Sequence, residues 1–343
     1  MQKIVITGVA GFIGFHLAKR LLQEQNLTII GIDNLNNYYS VKLKKDRLKI
    51  LKKFKKRFIF KKIDICDQKK INSLFLRNKI SKVVHLAAQA GVRYVKKNPS
   101  TYFQNNLKGF FNVLESCRLN KVKHLISAST SSVYGLNKKM PFNVDLPADH
   151  PTQFYAASKR SNELMAHSYS HMFNLPITLI RFFTAYGPWG RPDMALYIFV
   201  KSILKNKKFK VFNYGNHSRD FTYIDDITKG ISLAIKKVPK KNLKWTPKYN
   251  NFSSSEAPFK ILNLGNGKRI NLKNYIKLIE KYCNKKAKIY YVGFQRGDLK
   301  DSLADIRDTR KYLKFSPQIS VNSGVKRFVD WFKSYHSKSK KAL

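Results

Sequence analysis

The apolar and polar positions along the first half of the chain predict alternating strands and helices. Short apolar runs rich in β-branched residues, at residues 4–6 and 27–32, are typical of buried parallel strands. An amphipathic helix is expected over residues 12–22. Further strands are expected at residues 57–63, 83–88 and 124–129, with a long helix at 99–119. This alternation predicts an α/β fold built from right-handed βαβ units, with helices on both faces of a doubly wound parallel sheet.

A glycine-rich turn follows the first predicted strand, with the spacing Gly8-x-x-Gly11-x-x-Gly14. Because glycine has no Cβ, Gly8 and Gly11 allow a tight turn and the close approach of a diphosphate, and Gly14 lets the helix pack near the strand. Backbone N–H groups and the dipole at the helix start favour the anion. Strand, turn and helix together predict a Rossmann-type phosphate cradle.

Asp33 ends the second predicted strand, about twenty residues after the glycines, where a carboxylate accepts hydrogen bonds from an adenosine ribose. A carboxylate there repels a 2′-phosphate, so we expect NAD rather than NADP. Ligands bind at the carboxyl ends of parallel strands, so the residues at these ends should line one crevice. They are Gly8, Asp33, Asp64, Ala87-Ala88-Gln89, Ser129-Thr130 and Phe183-Thr184.

Tyr155 and Lys159 are four residues apart in a predicted helix that starts near residues 151–152, so they share one face. A nearby ammonium favours the phenolate and lowers the tyrosine pKa, which would make Tyr155 a general base near neutral pH. The hydroxyl-rich strand end that includes Thr130 can hydrogen-bond the substrate oxygen from which Tyr155 removes the proton. An exposed Tyr and Lys on a lysine-rich helix is the alternative.

The charge of the chain is strongly basic, with 67 Lys and Arg against 20 Asp and Glu, for a formal net charge of +47. Such an excess suggests a polyanion partner. The basic residues are spread along the whole chain, however, which favours a lysine-biased surface without a specific nucleic-acid site. The runs at residues 42–56 and 333–341 could bind polyanions non-specifically at low salt.

The cysteine pattern and the hydropathy favour a cytoplasmic protein. Cys66, Cys117 and Cys283 are far apart and match neither a disulfide framework nor a metal site, which suits a reducing compartment. The first predicted strand begins almost at Met1, so we expect no signal peptide. No apolar run approaches the roughly 20 residues of a membrane helix, so we expect no membrane span.

Several longer motifs carry a resemblance to a known family. They are Asp33-Asn-Leu-Asn-Asn-Tyr-Tyr39, His85-Leu-Ala-Ala-Gln-Ala-Gly-Val-Arg93, Tyr155-Ala-Ala-Ser-Lys159, Arg181-Phe-Phe-Thr-Ala-Tyr-Gly-Pro-Trp-Gly-Arg-Pro-Asp-Met194 and Arg219-Asp-Phe-Thr-Tyr-Ile-Asp-Asp226. The sequence resembles the NAD-dependent sugar epimerase/dehydratase family of extended short-chain dehydrogenases/reductases, and within it the UDP-glucuronate 4-epimerase branch. The similarity runs from Gly8 to about Trp331, and Pro188-Trp-Gly-Arg-Pro-Asp-Met194 is its most diagnostic stretch.

The resemblance implies a role for many residues. Thr130 matches the catalytic Ser/Thr that assists Tyr155, and Lys159 also holds the nicotinamide ribose. Besides Gly14 of the glycine turn, the positions that match cofactor contacts are Gly8, Gly11, Phe12, Ile13, Asp33, Asn34, Asp64, Ile65, Leu86, Ala88, Gln89 and Asn105. The positions that match contacts to the sugar and its carboxylate are Thr130, Ser131, Ser132 and Thr184.

The resemblance also places residues around the rest of the substrate. Arg191 and Arg219 match the substrate region, with Arg219 on the diphosphate, where a guanidinium binds phosphate well. Asp298 matches a contact to the nucleotide ribose, and Arg296 departs from the proline usual in that loop.

The implied reaction is the reversible C4 epimerisation of UDP-glucuronate to UDP-galacturonate through a 4-keto intermediate, with tightly bound NAD. Related dehydratases and decarboxylases carry an acid where this chain has Thr130-Ser131-Ser132. The alternatives are a UDP-glucose/UDP-galactose 4-epimerase or other nucleotide-sugar epimerase, a polyanion-binding protein on an enzyme fold, and an NAD-binding redox sensor without turnover.

The expected organisation has three parts. Residues 1–185 form the NAD-binding Rossmann domain with the Tyr155 helix. Residues 186–335 form a smaller C-terminal α/β region that mainly binds the nucleotide sugar, with some chain returning to the Rossmann sheet. Residues 336–343 form a basic tail that frays after about Tyr335. The resemblance further implies a homodimer in which helices at residues 101–105 and around Tyr155 pair.

Overall fold

The computed structural model describes residues 2–24, 26–91, 98–246, 248, 251–295 and 297–340. Arg93 and Arg296, both named in the sequence motifs, and residues 341–343 of the tail lie outside these ranges.

The central element is a parallel sheet. Its strands are β1 (Gln2–Thr7), β2 (Leu27–Asp33), β3 (Phe58–Lys62), β4 (Lys82–His85), β5 (His124–Thr130), β6 (Ile177–Phe182) and β10 (Phe259–Leu264). These seven described strands pair in the order β10-β6-β5-β4-β1-β2-β3. The order reverses direction at β1, as in Rossmann folds. The predicted fold class is confirmed, and β10 comes from the C-terminal half of the chain.

Helices cover both faces of this sheet and bury separate cores. One face packs against α1 (Phe12–Glu24), α2 (Val41–Lys52) and α8 (Ile224–Lys236), and its core includes Leu17, Leu48 and Ile231. The other face packs against α3 (Gln68–Leu76), α5 (Gly109–Leu119) and α6 (Phe154–Phe173), and its core includes Ile71 and Val113. The β-branched runs of the sequence are therefore strands buried on both faces.

The helix expected at residues 99–119 contains a change of pitch. It begins as α4 (Ser100–Tyr102), widens to a π-helix over Phe103–Lys108 and continues as α5. The wide turn brings Asn106 inside, where its amide donates to Ser158 Oγ at 3.0 Å and accepts from the Gln89 N–H at 2.8 Å. Such π-helical turns often occur at functional sites.

The C-terminal half adds smaller sheets. Strands β7 (Thr184–Tyr186), β9 (Ser218–Tyr223) and β11 (Arg269–Asn271) form one, and β8 (Phe209–Val211) pairs with β12 (Ile289–Tyr291). The helices here are α7 (Ala195–Leu204), α9 (Leu272–Cys283), α10 (Arg307–Leu313) and α11 (Val321–Lys340). None of the helices in the described ranges is both long and apolar enough to cross a membrane.

The fraying predicted after about Tyr335 is wrong for residues 336–340, because α11 continues to Lys340. The residues at the start of this turn contact α2 and α7. Tyr335 donates to Asp46 Oδ2 at 2.6 Å, and His336 shares a 2.9 Å hydrogen bond with the Tyr197 hydroxyl.

Candidate active site

The carboxyl ends of the parallel strands open into a cavity of about 460 Å³. Most of the predicted site residues line it, although they come from distant parts of the chain. They are Gly8, Gly11, Phe12, Ile13, Gly14, Asp33, Asn34, Ile65, Leu86, Ala88, Gln89, Asn105, Thr130, Ser131, Ser132, Tyr155, Lys159, Thr184 and Arg191. The end that contains the glycine turn and Asp33 is called the cofactor end, and the end that contains Tyr155, Thr184 and Arg191 is called the sugar end.

The glycine turn is shaped so that a larger residue would not fit. Gly8 has φ +70°, and a Cβ on it would lie 2.8 Å from the Ala87 backbone nitrogen. A Cβ on Gly14 would lie 2.2 Å from the Gly8 carbonyl oxygen. The Gly11 N–H donates to that same oxygen at 2.9 Å. The turn thus leaves the start of α1 bare for an anion, and this cradle fits the diphosphate of a dinucleotide.

Asp33 lies beside this turn with its carboxylate already held by the backbone. Its Oδ2 accepts from the Ala10 N–H at 3.1 Å, and its Oδ1 accepts from the Leu35 N–H at 2.8 Å. Burial raises the pKa of Asp33, while these N–H groups and Lys44 oppose that rise. A carboxylate has about four acceptor sites, so Asp33 can still accept from ribose hydroxyls.

Asp64, predicted as a cofactor contact, is not among the lining residues. Its carboxylate accepts from the Asn34 amide at 2.9 Å and from the Cys66 N–H at 2.8 Å. The structure therefore gives Asp64 a contact to Asn34, a residue that does line the cavity.

Tyr155 faces the sugar end of the cavity from the first turn of α6. Burial raises the pKa of its phenol, and the Arg191 charge and a hydrogen bond with Thr130 oppose that rise. Lys159 is not among these influences, in contrast to the expectation that its ammonium lowers the tyrosine pKa. The physical reason for the raised pKa is the burial of the phenol, which outweighs the groups that favour the phenolate. Lys159 Nζ donates to the Ala128 carbonyl at 3.0 Å.

Lys159 is buried between α6 and the end of β5, with 2% of its surface exposed. Burial lowers the pKa of its ammonium to about 8, while the Glu163 carboxylate opposes that shift. The lysine is therefore still largely protonated near neutral pH and loses its proton in mildly alkaline solution.

A cluster of hydroxyl groups follows Thr130 at the sugar end. Thr130 Oγ1 accepts from the Ser132 N–H at 3.2 Å, which caps the 3₁₀ turn Ser131–Tyr134. Thr184 begins β7 on the neighbouring wall. Among the described lining residues Asp33 is the only carboxylic acid, and it lies at the cofactor end. The sugar end thus offers hydroxyls and Arg191, with no acid among the described residues that line it.

Arg191 is held in place by an ion pair. Its Nε and Nη2 donate to the two oxygens of Asp193 at 3.0 and 2.6 Å. The Tyr38 hydroxyl donates to the same carboxylate at 3.1 Å. This pairing raises the pKa of Arg191 despite its burial. The guanidinium is thus a fixed positive charge beside Tyr155.

Arg219 and Asp298 are not brought to the cavity lining. Arg219, at the start of β9, donates through Nη1 to the carbonyls of Ser218 and Lys300 at 3.0 and 2.7 Å and through Nη2 to the Leu299 carbonyl. The Asp298 N–H donates to the Gln295 carbonyl at 3.0 Å. The two residues belong to adjoining segments of the C-terminal half, because Ser218 pairs with Asp301.

Several lining residues were missed from the sequence, notably Tyr38, Tyr39, Lys44 and Met194. Lys44 Nζ donates to the carbonyl and the side-chain oxygen of Asn36, each at 2.7 Å, and lies 4.5 Å from the centre of the Tyr39 ring. The two tyrosines are in a motif that carried the family resemblance, which could have marked them. Lys44 lies in a lysine-rich run and gives no signal of its own.

Comparison with known proteins agrees with this architecture. The model of the NAD dependent epimerase/dehydratase family matches residues 4–245. The chain is 46% identical to the protein CapI of Staphylococcus aureus, over 98% of this chain and all of that protein. It is 41% identical to a UDP-glucuronate 4-epimerase of Thermodesulfobacterium geofontis, over 97% of each chain.

A similar crystal structure is that of the UDP-glucuronic acid 4-epimerase from Bacillus cereus in complex with UDP-glucuronic acid and NAD. It has a TM-score of 0.87 and 32% sequence identity, and the match covers 97% of this chain and all of that chain. The family match, the relatives and the fold agree with the dinucleotide cradle at the carboxyl ends of the strands. The protein belongs to the NAD-dependent epimerase/dehydratase family.

Proposed function

We propose that this protein catalyses the reversible C4 epimerisation of UDP-glucuronate to UDP-galacturonate, with NAD held throughout the reaction. The observation that carries this proposal is the sugar end of the cavity. There Tyr155 and Thr130 lie beside the hydroxyls of Ser131 and Ser132 and the Arg191 guanidinium. The relatives named UDP-glucuronate 4-epimerase support the same substrate.

The cofactor end fits NAD. The N–H groups after Gly11 would hold the diphosphate, Asp33 would accept from the adenosine ribose, and Lys159 would hold the nicotinamide ribose. When bound there, NAD accepts a hydride from C4 of the sugar and later returns it to the opposite face of that carbon. No net oxidation results, so the cofactor is regenerated in each turnover and need not exchange with solution.

Tyr155 is the proposed base. Its phenolate takes the proton from the O4 hydroxyl as C4 becomes a ketone, and the phenol gives that proton back when the hydride returns. Thr130 hydrogen-bonds both the phenol and the sugar oxygen, while Arg191 stabilises the phenolate by its charge. Rotation of the 4-keto sugar in the cavity presents its other face before the return step.

The hydroxyl cluster is also proposed to prevent loss of the sugar carboxylate as CO2. The carboxylate on C5 is β to the C4 ketone, so it can leave as CO2 when its bond aligns with the carbonyl π-system. Hydrogen bonds from Ser131, Ser132 and Thr184 would hold the carboxylate out of that alignment. A carboxylate accepts such bonds strongly, because hydrogen bonds to charged groups contribute about 1.5–3 kcal/mol.

Arg219 and Asp298 are the proposed contacts to the nucleotide part of the substrate. Arg219 would bind the diphosphate of UDP, and Asp298 would accept from its ribose. The Arg219 guanidinium has five N–H donors, and the named contacts to backbone carbonyls leave capacity for phosphate oxygens.

The nearest rival activity is the epimerisation of UDP-glucose, which needs the same base and cofactor. Purified protein incubated with UDP-glucuronate, and separately with UDP-glucose, decides between the two when the products are separated by chromatography. We expect UDP-galacturonate from the first reaction, no release of CO2, and a higher kcat/KM for UDP-glucuronate. An equal or higher kcat/KM for UDP-glucose would overturn the proposed substrate.

We also propose a homodimer in which two copies pair through the helix at residues 101–105, which continues into α5, and through α6, the helix of Tyr155. These helices expose large apolar side chains on the protein surface: Phe103, Phe111, Leu164, Met172 and Phe173. Exposed apolar groups clustered on neighbouring helices are typical of an interface. Sedimentation of wild-type protein and of Leu164→Glu tests this, since an added charge should dissociate the dimer.

The proposed location is the cytoplasm. The three cysteines are all free in the structure, which suits a reducing compartment. Fractionation of the cells that make the protein tests this assignment.

A further inference from the structure

We propose that Glu163 is a positioning residue that fixes helix α6 on strand β5, sets Tyr155 and Lys159 against Thr130, and places a negative charge one helical turn from the Lys159 ammonium. This inference rests on the proposed epimerisation, because it concerns the same base. Glu163 does not line the cavity itself, and it contacts the lining through Ser129.

The Glu163 carboxylate joins three elements of the fold. It belongs to α6, accepts from Ser129 Oγ of β5 at 2.6 Å, and accepts from Arg181 of β6 through Nε at 2.9 Å and Nη2 at 2.8 Å. Ser129 and Arg181 are partners across β5 and β6. Glu163 and Arg181 are each 1% exposed, so the pair is shielded from water. A carboxylate with this set of donors has one well-defined position.

Lys159 and Glu163 hydrogen-bond consecutive residues of strand β5. Lys159 Nζ donates to the Ala128 carbonyl, and Glu163 binds the Ser129 hydroxyl one residue later. Thr130 is the next residue of β5. Because Lys159 and Glu163 are one helical turn apart, the two contacts fix how α6 lies along β5. Tyr155, one turn before Lys159, therefore meets Thr130 in a fixed register.

Arg181 extends the same network to the hydroxyl cluster. Its guanidinium lies 4.8 Å from the centre of the Tyr134 ring and donates to the Val144 carbonyl at 3.2 Å. Tyr134 ends the turn that begins with Ser131 and Ser132. One buried ion pair thus supports both the base and the groups assigned to the sugar carboxylate.

The charge of Glu163 also acts on Lys159. The titratable and charged groups around Lys159 are Glu163 on its own helix and His85 at the end of β4, with Arg181 of β6 and Arg160 of α6 both bound to Glu163. Burial lowers the pKa of His85 to about 3, so His85 stays neutral over the working range. Glu163 is therefore the anion that keeps Lys159 protonated.

The test is the pH profile of kcat for Glu163→Gln holoenzyme. Without the carboxylate the Lys159 ammonium loses its proton at lower pH, so the alkaline limb should move down by about 1 on the pH scale or more. At a fixed pH beyond the limb the variant then loses about tenfold relative to wild type, with KM little changed. Asp226→Asn is the matched control, because Asp226 is equally buried but accepts from the N–H groups of Gln318 and Ile319.

Both variants should lower the melting temperature, but Glu163→Gln alone should move the limb. If its limb coincides with that of wild type, Glu163 is only structural and the proposal fails. Should Glu163→Gln not fold, the double variant Glu163→Gln with Arg181→Gln removes the unpaired buried cation, and its alkaline limb must move in the same direction. Profiles with UDP-glucuronate and with UDP-glucose separate the two proposals, because a protein active only on UDP-glucose would overturn the sugar assignment while still testing Glu163.

Discussion

Gly8 and Asp33 reach the cofactor end of the cavity from the carboxyl ends of paired parallel strands, whereas Arg219 and Asp298 lie in segments outside the main sheet. The first group is positioned by the ladder hydrogen bonds of β1 and β2. The second is positioned by one short strand and by the backbone carbonyls of residues 299 and 300. A ligand site at a sheet edge is therefore formed by the backbone, while a site on connecting segments depends on contacts between loops.

Tyr155 lines the sugar end of the cavity, and its loss should have the largest effect. Tyr155→Phe removes only the phenolic oxygen, and a positioned base contributes about 10²–10⁴-fold to the rate. We expect a fall in kcat of that size, with the fold and the NAD content kept. Tyr169→Phe on the same helix is the control, because that hydroxyl binds Glu115. Near-normal turnover of Tyr155→Phe would mean that another group is the base.

Asp33→Ala tests the cofactor end by itself. Losing a hydrogen-bonded carboxylate should weaken NAD about 10- to 100-fold, since bonds to charged groups contribute about 1.5–3 kcal/mol. Turnover at saturating NAD should change less. Dinucleotide in the supernatant of denatured protein, with rescue by added NAD, is the measurement. Asp67→Ala removes an equal charge from the exposed start of α3 and should leave NAD in place. If the Asp33→Ala variant retained NAD, Asp33 would not be a residue that holds the cofactor.

Arg219→Ala tests the nucleotide segments. If Arg219 binds the diphosphate, KM for the UDP-sugar should rise about tenfold or more, while NAD content stays the same. The control is Arg307→Ala, which removes an exposed guanidinium paired with Asp305. A lower melting temperature with unchanged KM would instead mean that Arg219 serves only the carbonyls of residues 299 and 300.

The last prediction concerns substrate choice at the sugar end, where the expected change is in the ratio of two activities and not in turnover itself. Ser131→Ala combined with Ser132→Ala should reduce the preference for UDP-glucuronate over UDP-glucose by about tenfold per lost donor. Some CO2 should be released, since a loosened carboxylate can align with the C4 ketone. Ser168→Ala, on the exposed side of α6, is the control. If the ratio of kcat/KM for UDP-glucuronate to kcat/KM for UDP-glucose were unchanged, these hydroxyls would not bind the carboxylate.

The sequence predicted those parts of the site that follow directly from strand ends. Gly8, Asp33 and Thr130 could be assigned to the site because apolar runs and β-branched composition locate the strands. Parallel strands then bring their carboxyl ends to the same side of the sheet. Asp64 also follows a strand, but its side chain turns to Asn34 instead of the cavity. A strand-end position predicts the edge of the sheet and leaves the direction of the side chain open.

Contacts between distant residues could not be predicted in this way. Lys44, which is 4% exposed, has the same local pattern as its exposed neighbour Lys45. The bonds from Tyr38 to Asp193 and from Arg181 to Glu163 join separate elements, and no periodicity encodes such pairs. The expected lowering of the Tyr155 pKa was wrong for a related reason: the helix sets the spacing of Tyr155 and Lys159, while the tertiary fold buries the phenol and so raises its pKa.

The most direct test of the proposed reaction follows the hydrogen on C4. Purified protein is incubated with UDP-glucuronate that carries deuterium at C4, and the product is examined by mass spectrometry and NMR. Because the hydride leaves C4 and returns to the same carbon within one cavity, UDP-galacturonate should keep the deuterium at C4, with no CO2 released. Loss of the label to solvent, or absence of UDP-galacturonate, would contradict the account.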